Sequence, residues 1–300
     1  MGLGFTPESH MLDGSVKYAN GAMDAGSRAG QTAEGPRRAI IVNTRILTIA
    51  RNAFRESVRD RVLYNLVLFA LVLVASSILV SEISISQESQ FIADLGLAAM
   101  LVFGALIAIF VGVGLVYKEI DKRTIYNILS KPVRRYQFLL GKYLGLCLTL
   151  LVNCLVMTAG TALALVYLNR GFSHLTVSIL PAAYMIFLEL ALLIAVALLF
   201  SSFTTPLLSA LFSFAVYVIG QFSGDLRVAA EISHSIAVRG VLTVAYYVIP
   251  NLSNFGYLAQ AARGEVVGFG LLARATIYGV VYISILLSVA SIIFEKRNFK

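Results

Sequence analysis

An all-α integral membrane protein with six transmembrane helices is the fold this sequence predicts, and three observations predict it. Of the 300 residues, 58% are hydrophobic and 13% charged, well below the ~25% charged residues of a soluble domain. Apolar stretches long enough for a ~30 Å hydrocarbon core recur along the chain. Basic residues flank those stretches instead of forming a stripe, so the net charge of +8 points to membrane lipid as a partner and away from nucleic acid. Cys147 and Cys154 both lie in one apolar run, which provides neither a disulfide framework nor a CxxC metal motif.

Residues 1–40 are rich in Gly and Ala and carry no hydrophobic periodicity, so they are expected to be a disordered tail. They contain no apolar core of the kind a signal peptide needs. Residues 41–300 form the predicted membrane domain. Between Thr44 and Arg61, residues Ile46, Ile49, Ala50, Ala53, Phe54 and Val58 share one helical face, and Arg51, Arg55 and Arg59 the opposite one. This pattern predicts an interfacial amphipathic helix, basic side toward headgroups and apolar side in the acyl boundary, leading as an elbow into the first span.

Spans are predicted at Val62–Val80, Leu95–Tyr117, Tyr143–Leu168, Ile179–Phe200, Leu207–Phe222 and Leu271–Phe294. The fifth is short, with Pro206 suited to its start and Gly220 near its end. Ile236–Ile249 is apolar but about 14 residues long, too short to cross, and Arg239 and Gly240 interrupt it. It reads as a re-entrant or interfacial piece within an outer segment, residues 223–270, of short outer-leaflet helices. With six spans both termini are cytoplasmic, and of 24 basic residues only Arg170, Arg227, Arg239, Arg263 and Arg274 are outside, as the positive-inside rule requires.

The loop of residues 118–142, KEIDKRTIYNILSKPVRRYQFLLGK, is a charged island between two spans, with seven Lys or Arg against Glu119 and Asp121. Ile120, Thr124, Ile125, Ile128 and Leu129 recur at helical spacing before Pro132 stops the pattern, so a short cytoplasmic helix with one apolar face is expected. The run EIDKRTIYNILSKPVRRYQFLLGKYLG resembles the cytoplasmic loop of type 2 ABC transporter permeases. TIARNAFRESVRDRVLYN (Thr48 to Asn65) is similar to their N-terminal elbow and YYVIPNLSNF (Tyr246 to Phe255) to their outer loop. Within that family the resemblance is to the permeases associated with multicopper-enzyme and nitrous-oxide reductase maturation.

This resemblance implies that the short helix is a coupling helix docked in an ABC ATP-binding subunit. It places Glu119, Asp121, Arg123, Thr124, Ile125, Ile128, Leu129, Lys131 and Arg134 at that contact. It further implies a second permease copy, as a homodimer or with a close homologue, in a bacterial cytoplasmic (inner) membrane, and possible service to a periplasmic protein. ATP and Mg would be bound by the partner, because no G-x-x-x-x-G-K-[ST] occurs in this chain. The chain is therefore expected to be a permease subunit and not an enzyme. The family's outer loop would form a gate, here Tyr246, Tyr247, Pro250 and Phe255. An interfacial belt of aromatics is the alternative reading of the same residues.

Glu189 is the one acid deep within a predicted span, where a carboxylate costs ~3 kcal/mol or more to bury. It is expected to be protonated or bonded across to Asn153 or Tyr184, in a substrate or proton path or, as the better supported reading, in a structural interhelical hydrogen bond. Cys147, Cys154 and Met157 lie on one side of the third span and are weak candidates for soft-metal ligands; ordinary core packing is the better supported reading. The Gly141–Gly145 pair, with Gly104, Gly112 and Gly114, predicts tight packing of spans two and three. His174 and His234 have no acidic neighbours at ligand spacing. Three functions follow in order: an ATP-driven permease for export or membrane-level movement of a substrate, a mechanical relay passing ATPase strokes to a periplasmic partner, and a secondary transporter using Glu189.

Overall fold

The computed structural model describes Thr44, residues 46–59, scattered helical positions between 64 and 75, and residues 88–121, 135–232, 235–265 and 267–296. Contacts divide the chain into Met1–Leu47, of which Thr44, Ile46 and Leu47 are described and helical, and Thr48–Lys300. In the second unit, residues 48–58 form α1. There follow α2 (Glu88–Asp121), α3 (Arg135–Leu168), α4 (His174–Ser201), α5 (Pro206–Gln221), α6 (Ser223–Ile232) and α7 (Ile236–Val248). A 3-10 turn (Leu252–Phe255), α8 (Leu258–Ala262) and α9 (Phe269–Lys296) complete it.

Among the described residues four helices are long and apolar enough to cross a membrane: α2, α3, α4 and α9. Of the predicted first span only Tyr64, Val67, Leu68, Leu71, Val72 and Ala75 are described, all of them helical, and residues 122–134 of the coupling loop lie outside the described residues. The other crossings stand where hydropathy places them but extend further, α2 beginning at Glu88 instead of Leu95 and α3 at Arg135 instead of Tyr143. Hydropathy marks the part of a helix that lipid selects; propagation past it needs only one backbone bond per added residue. Helix α5 has 16 residues, about 24 Å, and is short for a span, as its sequence predicts.

Helix α4 is the central element, and α2, α3, α5, α8, α9 and the 3-10 turn all pack on it. Its stretch from Leu188 to Leu198 is buried on every side, which suits a segment without a polar face. By contrast α9 keeps an apolar ridge exposed at Ile277, Val280, Val281 and Ile285, the side that faces lipid in a spanning helix. Small residues line the inner face of α5, where Ser209 and Ser213 are fully buried and Ser213 bonds back to the Ser209 carbonyl at 2.7 Å. Such residues let membrane helices approach closely where no hydrophobic force drives them together.

Two packing expectations need correction. The glycines do not chiefly serve the contact of α2 with α3: a Cβ on Gly104 would strike Leu190 of α4, and one on Gly145 would lie 2.5 Å from the Ala50 carbonyl oxygen of α1. Among the described residues nothing lies within 4 Å of a Cβ placed on Gly114, and the close α2–α3 contact is at Gly96, against Thr161. The apolar face of α1 is likewise not laid into acyl chains at its centre. Ala50, Ala53 and Ser57 are buried, and Ala50 and Ala53 sit against Gly145, because a glycine in α3 lets the two backbones meet more closely than lipid could fill. Arg51, Arg55 and Arg59 are exposed, as the amphipathic pattern requires.

Candidate functional site

Glu189 lies within α4, 1% exposed. The turn after Ser201 sends α5 back along α4, so a residue level with Glu189 must come from the far end of α5. Glu189 is about 18 Å from Ser201 along its helix and Gln221 about 22 Å from Pro206 along its own. The Gln221 side-chain amide accordingly donates a hydrogen bond to the Glu189 carboxyl, and Tyr217, one turn earlier on α5, interacts with the same Gln221 side chain. The expected partners are elsewhere. Tyr184 pairs with Thr276 of α9 at 3.0 Å, and Asn153 on α3 keeps its Oδ1 buried with no hydrogen-bond partner among the described residues. Gln221 was legible in principle, as the polar residue that ends an apolar helix at the right distance from the hairpin turn.

The chain from Pro250 to Ala262 folds back into this end of the bundle as a cap. Leu252, Phe255, Ala261 and Ala262 are at most 1% exposed; Leu252 and Phe255 cover Met185, Leu188 and Leu192 of α4, while Ala261 and Ala262 join the main core. The cap depends on Gly220, the residue before Gln221, because a Cβ there would fall 2.8 Å from the Leu252 side chain and 2.9 Å from the Pro250 carbonyl oxygen. Hydrogen bonds fix its edges. Ser223 and Ser253 hydroxyls donate to Asn251 Oδ1 at 2.5 and 2.6 Å, and the Asn251 N–H donates to the Tyr278 hydroxyl of α9 at 2.8 Å. The Tyr282 hydroxyl donates to the Val248 carbonyl, and Ser178 of α4 to the Ala261 carbonyl, each at 2.8 Å. Of the four residues placed at an outer gate, Pro250 and Phe255 are therefore inside the cap. Tyr246 and Tyr247 stand edge to face at 5.3 Å on α7, with Tyr247 exposed.

A family profile described as "ABC-2 family transporter protein" matches residues 47–298. The chain belongs to that family. No curated protein matches it at a significant level. Membership makes this chain the membrane component of an ABC transporter, a multi-pass protein whose family works with an ABC ATP-binding subunit.

In this ABC-2 transporter chain Glu119 and Asp121 fall in the last turn of α2, immediately before the predicted coupling helix. Arg123, Thr124, Ile125, Ile128, Leu129, Lys131 and Arg134 lie outside the described residues. Beyond them α3 opens on a junction that hydropathy alone does not reveal. Lys142, with a side chain 4% exposed, pairs with Glu56 of α1 at 3.5 Å and stands over the Phe138 ring, which stacks at 6.2 Å on Phe294 of α9. One cluster thus ties α1, the start of α3 and the end of α9. The signal for it was the pairing of a lone acid on a basic helix, Glu56, with the last basic residue of the charged island.

Cys154 and Met157 are buried in the main core and Cys147 packs against it, where the Cys147 thiol and Tyr143 hydroxyl are hydrogen-bonded to each other. No group of three or more His, Cys, Asp or Glu that could hold a metal ion occurs among the described residues.

Proposed function

We propose that this chain couples ATP hydrolysis in a separate ABC ATP-binding subunit to export, or to movement within the membrane, of a substrate. The match of the ABC-2 profile across residues 47–298 carries the reading. In it the chain makes six crossings of a bacterial inner membrane with both termini cytoplasmic, and works with a second permease copy. ATP and Mg belong to the partner. The segment Asp121 to Ser130 docks on the ATPase, and its displacement reaches the bundle through α2 and α3. The junction of Glu56, Lys142 and Phe138 supports transmission because it clamps the start of α3 to two other helices. The resemblance of the cytoplasmic loop supports service to multicopper-enzyme maturation as the finer reading.

Affinity purification of the tagged chain from native membranes, with mass spectrometry and an ATPase assay of the eluate, tests the coupling. A Walker-motif subunit in equal amount, lost on Ile125→Asp with Ile128→Asp, is expected; recovery of the chain alone without ATPase activity would sink the reading.

One observation favours the relay as a second reading. Helix α7 exposes Val238, Val241, Val244, Tyr247 and Val248, an apolar ridge suited to a periplasmic partner. Tyr247→Asp with Val244→Asp would then release a periplasmic protein that otherwise co-purifies, while leaving the ATPase bound.

A further inference from the structure

Beyond ATP coupling, we propose that the cavity around Arg274 is a binding site for a phosphate group, presented by a lipid headgroup or by a soluble phosphate-bearing ligand. The cavity, about 380 Å³, opens at the capped end of the bundle between the loop after Phe255 and α9, and is lined by Asn254, Tyr257, Leu271, Arg274, Ala275 and Tyr278. Its polar lining consists of hydrogen-bond donors, with no carboxylate among the lining residues. Arg274 carries a permanent charge within a helix apolar enough to span a membrane, about 7.5 Å from the start of that helix. Its side chain is exposed near this end of the helix, where a cation can meet phosphate groups at the membrane surface. Among the described residues the partner recorded for Arg274 is the Gly270 carbonyl of its own helix, which accepts from Nε at 3.3 Å.

The guanidinium is therefore held at one nitrogen, while its other donors remain for a ligand in the fork geometry that suits phosphate oxygens. Of the acids near this end, Glu265 is paired with Arg263 at 3.8 Å and Asp94 also interacts with Arg263, and neither is among the lining residues. Tyr278 adds a second donor. Its hydroxyl oxygen already accepts the Asn251 N–H, which orients the phenol and leaves its own proton to donate. Because that same bond anchors the cap, a phosphate held by Arg274 and Tyr278 would rest directly on the element covering Met185, Leu188 and Leu192. The apolar members Leu271 and Ala275 lie one helical turn apart on α9 and give a wall against which acyl or other apolar substituents of the ligand can rest.

The test is thermal unfolding of the full chain in an uncharged maltoside detergent, titrated separately with dihexanoyl phosphatidylglycerol, inorganic phosphate and dihexanoylglycerol. A saturable upward shift with the phospholipid, whose half-saturating concentration rises about tenfold or more in Arg274→Gln, and which is absent with dihexanoylglycerol, is the expected result and names a headgroup as the source. The same Arg274-dependent shift with inorganic phosphate names the free anion. Arg274→Lys should lose part of the affinity, since a point charge replaces the fork. If Arg274→Gln does not yield folded protein, Asn254→Asp at the exposed rim decides, with a several-fold weakening expected. Equal shifts with dihexanoylglycerol, or half-saturation unchanged in the deciding variant, would overturn the site.

Discussion

Lys142 and Glu189 are both almost wholly buried, 3% and 1% exposed, yet the chain treats the two ionisable groups differently. Lys142 sits near the start of α3 and meets a carboxylate, Glu56, whose own side chain is 41% exposed, so the pair is buried on one side and wet on the other. Glu189 sits well inside α4 and meets a neutral amide, Gln221. The difference follows from distance to water. Near a helix end a counter-ion can keep its solvation and still neutralise its partner, whereas deep in a bundle a second ion would double the desolvation penalty. A carboxyl facing an amide is an interhelical hydrogen bond of the kind membrane bundles use as glue. Lys142 thus marks a mechanical junction and Glu189 a packed interior seam, and variants can separate the two.

The largest effect is expected at the junction, from Gly145→Ala. Its Cβ would lie 2.5 Å from the Ala50 carbonyl oxygen and 2.6 Å from the Ala53 Cβ, and backbone cannot step aside as a side chain does, so ~3 kcal/mol or more of stability is expected to be lost. Gly220→Ala at the seam meets the Leu252 side chain at 2.8 Å and the Pro250 carbonyl oxygen at 2.9 Å, a looser backbone contact than at Gly145, and should cost less, ~2 kcal/mol. Denaturant titration of both variants in detergent checks the order. A Gly220 variant less stable than the Gly145 variant would show that the cap, and not α1, is the more rigid element.

Next comes the ion pair itself. Glu56→Ala leaves the Lys142 ammonium buried without that carboxylate and is expected to cost ~2 kcal/mol, below the 3–5 kcal/mol of a fully buried pair because Glu56 is partly solvated. Lys142→Met removes the buried charge and leaves Glu56 to water, so it should cost less than Glu56→Ala. Equal losses would mean that the Phe138 stack, and not charge, holds the junction. At the seam the effects shrink: Glu189→Gln keeps a hydrogen-bonding group and should leave stability within ~0.5 kcal/mol, while Glu189→Leu forfeits the bond with Gln221, about 1 kcal/mol. Substrate-stimulated ATPase turnover of the purified complex sharpens the contrast. Turnover lost in Glu189→Gln at unchanged stability would assign the carboxyl a role beyond packing.

How much of this was written in the sequence depends on which force set each feature. The apolar stretches of α2, α3, α4 and α9 were legible because the membrane imposes them residue by residue, and α5 read as short for the same reason. The exposed arginines of α1 followed from one-helix periodicity. Partners across helices were not legible, since a glycine announces that something comes close without saying what. Gly104 and Gly145 were assigned to the contact between α2 and α3 but serve α4 and α1. Glu189 was found by its chemistry alone, while Gln221 required knowing that α5 runs back beside α4. The donor-lined cavity at Arg274 depends on the cap folding inward, which no local pattern encodes.

The smallest expected effect lies away from both charges and sets the scale for them. Arg170, at the end of α3, has φ of 51°, a left-handed conformation in which the side-chain Cβ crowds the following carbonyl. The conformation is imposed by the helix terminus: the N–H groups of Asn169 and Gly171 donate to the carbonyls of Leu165 and Val166, and the Asn169 side chain is held by Ser89 and Ser173. Glycine adopts this geometry without the Cβ penalty, so Arg170→Gly is expected to raise stability by up to ~1 kcal/mol, reduced by the extra freedom glycine gives the unfolded chain. Since Arg170 is exposed and has no part in either buried pair, its ATPase turnover and its response to Glu56→Ala should be additive with wild-type behaviour. A destabilised Arg170→Gly would mean that the arginine side chain holds the turn after α3 more firmly than its backbone strain loosens it.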